Sequence, residues 1–443
     1  MKAGDVDEAL IDRALHRVLA QKAELGLLDE GWQPLPDDVE QLRLDDEAGQ
    51  DIALRLARQS IVLLRNTGGI LPLAAGRRVA LVGPLADDPM GMLGCYAFPA
   101  HVGPHPEHGL GLDIPSLREA LGGLIPDLTY APGCDITGDD TSGFEAAVAA
   151  AADSDVCVLA VGDRAGLFGR GTSGEGCDAT DLRLPGVQAE LVRAVLATGT
   201  PVVLVLLAGR PYALGPEFDA AAAVVYGFFP GQRGGQALAE VLTGAVNPSG
   251  RLPVSVLRDA GGLPSTYLSP WLGRRSEVSS VDTTPAYPFG HGLSYTSFEW
   301  SDAGQPDGEP AGWPVDGEVT VGVTVRNTGA RAGTEVVQLY LHDPVAQTTR
   351  PVVRLIGHLR IPLEPGEAAR ATFTVPADLT SFTGLQGTRI VEPGDVELRF
   401  GRSSADVAAT VPLRLTGAER EVGHLRRLQP LAHIDRNPPE GRG

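Results

Sequence analysis

The sequence predicts an α/β protein, a three-layer α/β sandwich on a mostly parallel sheet followed by an all-β sandwich. Three observations carry that. Short, continuous apolar runs such as Val156-Cys157-Val158-Leu159-Ala160-Val161 and Val202 to Leu207 alternate with helical patterns. Strands that are apolar throughout are those buried on both faces of a sheet. Beyond Glu318 the pattern changes to strict alternation (Val319, Val321, Val323, Val325), the mark of a half-buried strand. At 443 residues the chain is also long enough for two or three separate cores.

In order, Asp5 to Leu28 reads as an amphipathic helix, with Ile11, Leu15, Val18 and Leu19 at helical spacing. These 443 residues hold no domain before it for that stripe to pack on. It is expected to stay exposed or mobile and to favour self-association or a partner. A polar linker to Leu44 closes this segment, residues 1–44. Residues 45–258 make the α/β unit. A helix is expected over Asp45 to Arg65, with Ile52, Leu56, Ile61 and Leu64 on its apolar face. Strands follow at Arg77 to Gly83, Leu128 to Ala131, Val156 to Val161, Val202 to Leu207 and Ala223 to Tyr226. Helices are expected at Ile114 to Leu121, Gly143 to Ala152, Gly186 to Thr198 and Gln232 to Thr243. Residues 259–315, rich in Pro, Gly and Ser, form an ordered connector. Residues 316–416 form the antiparallel sandwich, of the size expected for about 100 residues. The charged segment 417–443 is expected to fray.

Composition narrows the function. A hydrophobic fraction of 43% with 21% charged residues is that of a globular protein. A net charge of −20 repels a phosphate backbone, so no nucleic-acid partner is expected. The longest apolar runs are too short to cross a bilayer, so no membrane partner is expected either. MKAGDVDEAL lacks a basic-then-apolar stretch, which points to a cytoplasmic chain. Cys95, Cys134, Cys157 and Cys177 form no C-x-x-C pair and read as free thiols. No G-x-G-x-x-G joins a predicted strand directly to a helix and no G-K-[ST] occurs, so no nucleotide cofactor is implied. His101, His105 and His108 in HVGPHPEH match no zinc spacing, and no metal is expected. A role for His101 in a substrate loop is the better reading.

The chain is organised around the loop from Gly162 to Leu184, GDRAGLFGRGTSGEGCDATDLRL. A loop this long in a compact α/β unit is usually functional, and ligands of open α/β sheets bind beyond the carboxyl ends of the strands. Glycines 166, 169, 171, 174 and 176 give it backbone freedom, and Glu175 sits among them. On position alone, a solvated carboxylate is the plainer reading of Glu175. Asp163 and Arg164 at the strand end either bind a ligand or, as the favoured reading, form an ion pair that shapes the loop. Gly171-Thr172-Ser173-Gly174-Glu175 misses the last glycine of the nucleophile elbow G-x-S-x-G, which argues against a serine hydrolase.

Several strings together resemble glycoside hydrolase family 3. Lys22-Ala23-Glu24-Leu25-Gly26-Leu27 resembles the end of that family's N-terminal barrel. Ile61-Val62-Leu63-Leu64-Arg65-Asn66 with Ile70-Leu71-Pro72-Leu73 resembles the entry to its α/β sandwich domain. Ser173-Gly174-Glu175-Gly176 and Asp181 to Gln188 resemble its acid/base loop and the helix that follows. Asn247-Pro248-Ser249-Gly250-Arg251-Leu252-Pro253 and Pro288-Phe289-Gly290-His291-Gly292-Leu293-Ser294-Tyr295-Thr296 are near-signature strings. Glu335-Val336-Val337-Gln338-Leu339-Tyr340 and Val391-Glu392-Pro393-Gly394 resemble its fibronectin type III-like terminal domain.

The resemblance implies a retaining, exo-acting β-glycosidase of the β-glucosidase or β-xylosidase branch, acting on β-linked oligosaccharides or glycosides. Glu175 would be its general acid/base, and Arg170 would orient Glu175 or touch sugar unless it is simply a surface arginine. The family's nucleophile, an Asp in a Ser-Asp-Trp string, has no counterpart here: Ser154-Asp155 is followed by Val156 and Ser301-Asp302 by Ala303. The chain is therefore expected to correspond to the C-terminal portion of such an enzyme, without most of the barrel and with little or no hydrolysis by itself. It would be a truncated gene, a fragment or one half of a split enzyme, and in the last case a separate barrel-bearing chain would supply the nucleophile. The alternative is a non-catalytic carbohydrate-binding or scaffold protein.

Overall fold

The computed structural model describes residues 6–35, 37–103, 106–107, 109–262, 266–306 and 312–436. Two compact units result, Met1–Gly49 and Gln50–Gly443. The first carries helix α1 (Glu8–Glu24), whose N-cap Asp7 accepts a hydrogen bond from Ala9 N at 3.0 Å. Leu15 and Val18 of its apolar stripe are 53% and 51% exposed, and no residue of α1 is buried.

Helix α2 (Glu47–Ser60) is shorter than the period suggests, and Ile61 to Leu64 do not belong to it. Ser60 Oγ bonds back to Ala57 O at 3.0 Å, and the chain turns into strand β1 (Val62–Asn66). The continuous apolar run with its β-branched pair Ile61-Val62 suits a strand buried on both faces. On α2 the inward residues are Leu54 and Ala57, while Ile52 and Leu56 are exposed.

The alternation then runs through β2 (Val79–Val82), the short helices α3 (Phe98–Val102) and α4 (Leu117–Gly122), β3 (Leu128–Ala131), α5 (Phe144–Ala152), β4 (Val156–Gly162), α6 (Gln188–Leu196), β5 (Val202–Leu207), α7 (Pro216–Ala220), β6 (Ala223–Tyr226) and α8 (Gly234–Thr243), of which α3 and α7 are not in the sequence reading. The sheet order is β1-β6-β5-β4-β2-β3, with β2 to β6 parallel and only β1 antiparallel to its neighbour. One face packs Leu81, Val158, Val205 and Val225 against Leu54, Ala57, Leu117, Leu121 and Leu238. The other packs Val82, Leu159, Leu204 and Val224 against Ala147, Leu191, Val192 and Phe218. Helices thus cover both faces, giving the three layers. Each fully buried Leu or Val here contributes about 1.5–3 kcal/mol relative to exposure. From β2 the chain moves outward to β3, then crosses back to place β4 on the far side of β2. The topological switch point therefore lies between β2 and β4, where an α/β sheet opens its ligand crevice.

The β-sandwich packs a five-stranded sheet on a four-stranded one around Trp313, Val323, Leu339, Phe373 and Leu398. Its strands are β7 (Phe298–Gly304), β8 (Gly312–Pro314), β9 (Glu318–Asn327), β10 (Gly333–His342), β11 (Arg354–Leu363), β12 (Ala368–Pro376), β15 (Gly394–Gly401), β16 (Val407–Thr416) and β18 (Leu431–Asp435), while β13 (Phe382–Thr383), β14 (Arg389–Val391) and β17 (Arg420–Glu421) form a small sheet of their own. Two differences from the sequence reading stand out. Strand β7 already pairs with β9, so the sandwich draws on the end of the connector. Strand β18 pairs with β12 over Arg370 to Thr374, so this part of the charged segment is ordered rather than frayed.

The near-signature strings form the joint between the α/β domain and the sandwich. Asn247 Oδ1 accepts from Ser294 Oγ at 2.9 Å and from Tyr295 N at 2.8 Å, and its Nδ2 donates to Ala332 O at 2.9 Å. Arg251 pairs with Glu335 at 2.6 Å, with side chains only 11% and 5% exposed. Gln338 Nε2 donates to Gly290 O at 3.0 Å.

Candidate active site

The Gly162–Leu184 loop leaves the carboxyl end of β4, beside the switch point. Gly162 has φ of +143°, and a Cβ there would lie 2.0 Å from Leu207 O, so only glycine lets the chain leave the sheet so close to β5. Buried Gln188 clamps this point: it accepts from Gly162 N at 2.8 Å and donates to the Gly162 and Ile136 carbonyls at 2.9 Å. Asp163 is fully buried. Its Oδ1 accepts from Thr172 Oγ1 at 2.7 Å and Tyr212 OH at 2.5 Å, and its Oδ2 from Gly209 N at 3.1 Å. Burial, with the Asp163 hydrogen bond, raises the Tyr212 phenol above its ordinary range.

The loop then doubles back on itself. Thr172 N donates to Arg164 O, Gly166 N to Ser173 O and Phe168 N to Glu175 O, each at 2.9 Å. Arg210, from the loop after β5, donates to the carbonyls of Thr172 and Cys177. The glycines supply the turns, and the hydrogen bonds remove the freedom they would otherwise leave.

The residues singled out in the sequence have separate fates. Arg164 and Asp163 do not form the ion pair expected between them. Arg164 instead reaches Asp88 after β2, at 2.9 Å from Nε and 2.6 Å from NH2. Asp163 has its carboxylate consumed by internal donors, which suits a structural anchor rather than a ligand contact. Glu175 is exposed, and its Oε2 accepts from Tyr96 OH at 2.5 Å. That bond raises the Tyr96 phenol above its ordinary value. Arg170 and His101 are both exposed, and among the described residues no hydrogen bond or ion pair joins either side chain to Glu175. His105 and His108 lie outside the described residues, and among the described residues no group of three or more His, Cys, Asp or Glu is arranged to hold a metal.

Sequence reasoning missed Asp88, Tyr96, Gln188, Arg210 and Tyr212 as parts of this site. The signal for Asp88 and Tyr96 was their place after β2, which becomes informative only once β2 is known to lie beside β4. A cavity of about 990 Å³ borders the later part of the loop, lined by Thr172, Asp178, Asp181, Arg183 and Tyr212, without Glu175. Glu175 itself is exposed, with one carboxylate oxygen held by Tyr96.

Residues 61–295, more than half of the chain, match the glycosyl hydrolase family 3 C-terminal domain. The chain belongs to glycoside hydrolase family 3. In this family 3 chain, residues 335–404 also match a fibronectin type III-like domain. It is 36% identical over 409 residues to a β-xylosidase of Formosa agariphila, covering 91% of this chain and 55% of that protein. It is 33% identical to a periplasmic β-glucosidase of Salmonella typhimurium, covering 92% of this chain and 56% of the relative. The β-glucosidase of Listeria innocua crystallised with isofagomine superposes with a TM-score of 0.81 at 29% identity, covering 94% of this chain and 57% of that one. This family 3 chain thus spans little more than half the length of the relatives it matches. Among its described residues no helix is long and apolar enough to cross a membrane.

Proposed function

We propose that this chain carries the general acid/base half of the active site of a retaining, exo-acting β-glycosidase of the β-glucosidase or β-xylosidase type. Glu175 protonates the leaving glycosidic oxygen and later takes a proton from the attacking water. The observation that supports this most is the contrast between the loop's two central carboxylates. Asp163 is sealed by three internal donors, whereas Glu175 stands on a pinned backbone beside the switch point, with one oxygen that accepts no hydrogen bond among the described residues. Retention needs a second carboxyl about 5–5.5 Å away. No Ser-Asp-Trp string occurs in these 443 residues, so that group comes from a segment outside them, and the 443 residues by themselves hydrolyse little or nothing.

The test combines the chain with a polypeptide bearing a family 3 barrel and its Ser-Asp-Trp string. Cleavage of aryl β-glucosides or β-xylosides should appear only in the mixture. Glu175→Ala should cripple substrates with poor leaving groups, by about 10²–10⁴-fold. Added azide should restore turnover of activated ones. Unchanged rates on a natural disaccharide would remove Glu175 from the mechanism. A non-catalytic carbohydrate-binding role is the second reading, favoured by the exposed rings of Tyr96, Phe98 and Phe168. Sugar binding that survives Glu175→Ala, with no hydrolysis in any mixture, would support it.

A further inference from the structure

We infer that Tyr96 is a positioning residue for Glu175, fixing which carboxyl oxygen carries the catalytic proton. The inference rests on the acid/base reading of Glu175 and adds to it a partner from a different loop. Tyr96 arrives from β2 and Glu175 from β4, the two strands that flank the switch point. Their approach is set by backbone. Gly174 has φ of +123°, and a Cβ at that position would lie 2.2 Å from Gly166 O and 2.7 Å from Cys95 Cβ. Only glycine lets the Cys95 side chain settle against the loop, and that contact brings Tyr96 OH to 2.5 Å from Glu175 Oε2.

The rest of Tyr96 does little for folding, since the residue is 69% exposed. What it does is local. An exposed glutamate samples many rotamers, and ordering one costs conformational entropy. The phenol holds that side chain through a charge-assisted hydrogen bond. It also breaks the equivalence of the two oxygens. With Oε2 engaged as an acceptor, a protonated Glu175 carries its proton on Oε1, the oxygen left free for a leaving group. After transfer, the same Oε1 takes the proton of the incoming water.

The bond is tested first on the 443-residue chain alone, by ultraviolet titration of its tyrosines. The difference between wild type and Tyr96→Phe isolates the Tyr96 phenol, which should ionise above the usual value of about 10. In Glu175→Gln it should ionise lower. Identical Tyr96 titration in wild type and Glu175→Gln would overturn the inference. The second arm uses the chain combined with the nucleophile-bearing polypeptide. Tyr96→Phe should lower kcat about tenfold on substrates with poor leaving groups, a fraction of what general acid catalysis is worth, with KM and melting temperature little changed. If Glu175→Gln leaves turnover intact, the acid/base reading falls and this inference with it. If Glu175→Gln abolishes turnover but Tyr96→Phe matches wild type on good and poor leaving groups alike, this inference alone falls.

Discussion

Arg164 donates two hydrogen bonds, at 2.9 and 2.6 Å, to a single oxygen of Asp88, tying the loop after β4 to the loop after β2. Asp88 is nearly buried while Arg164 is half exposed, with side-chain exposures of 10% and 49%. Partial burial lifts such a pair to the top of the usual range, so a double-mutant cycle with Arg164→Ala and Asp88→Ala should give a coupling of about 1 kcal/mol. Asp88→Ala alone should cost more than Arg164→Ala, because Asp88 also accepts from Met90 N at 3.0 Å. Equilibrium denaturation of the four proteins measures both, and zero coupling would contradict the tie.

Asp163 and Arg170 should separate cleanly under mutation. Asp163→Ala takes the acceptor from the Tyr212 hydroxyl and the Gly209 amide and leaves Thr172 Oγ1 only the Arg164 carbonyl at 3.4 Å. Of these donors only the Tyr212 hydroxyl is buried, and an orphaned buried donor costs about 1–3 kcal/mol, so a loss of about 1–3 kcal/mol is expected. Arg170→Ala, at an exposed position, should stay within about 0.5 kcal/mol of wild type. Similar melting temperatures for the two variants would refute this division.

The Arg251–Glu335 pair should be among the costliest to break. It joins the α/β domain to the sandwich at 2.6 Å with both side chains almost out of solvent. Removing one partner leaves a buried charge unpaired, which costs about 3–5 kcal/mol. Urea titration of Arg251→Ala should show that loss. A change below about 1 kcal/mol would mean that solvent reaches the joint freely.

Asp343, directly after β10, gives the fold a pH signature. Burial pushes its carboxyl from 3.8 up to about 6, and Arg350 at 3.8 Å offsets only part of that. The folded chain therefore holds this proton more tightly than the unfolded chain, so ionisation costs stability. The cost is absent below about pH 3.8, grows towards about pH 6 and is constant above. Asp343→Asn should accordingly gain melting temperature over wild type progressively across that window and level off beyond it. A constant difference from acid to neutral pH would show that Asp343 titrates normally.

Most of the α/β sheet was legible because β4 and β5 are buried on both faces and so are apolar at every position. β1 was not, since Ile61 and Leu64 sit at a spacing that suits a helix as well as a strand. β7 and β18 escaped notice because edge strands carry polar residues and little periodicity. Glu175 was visible as the carboxylate in a glycine-rich insert. Its setting was not, because Tyr96 lies 79 positions away and Asp88 lies 76 positions from Arg164, distances that only sheet order closes. Asp163 and Glu175 look alike in sequence. Burial and donor geometry separate them.

The pairing of β18 with β12 also governs how the protein can be handled. Sequence alone invites a cut after Thr416, where the regular strands give way to a charged tail. Such a cut would unzip five residues from β12 and bare a strand whose unpaired backbone runs through Ala371, Thr372, Phe373 and Thr374. An open edge of that kind recruits other strands, from another copy or from a misfolded neighbour. Those five residues work as a selvedge, keeping the four-stranded sheet from fraying into its neighbours.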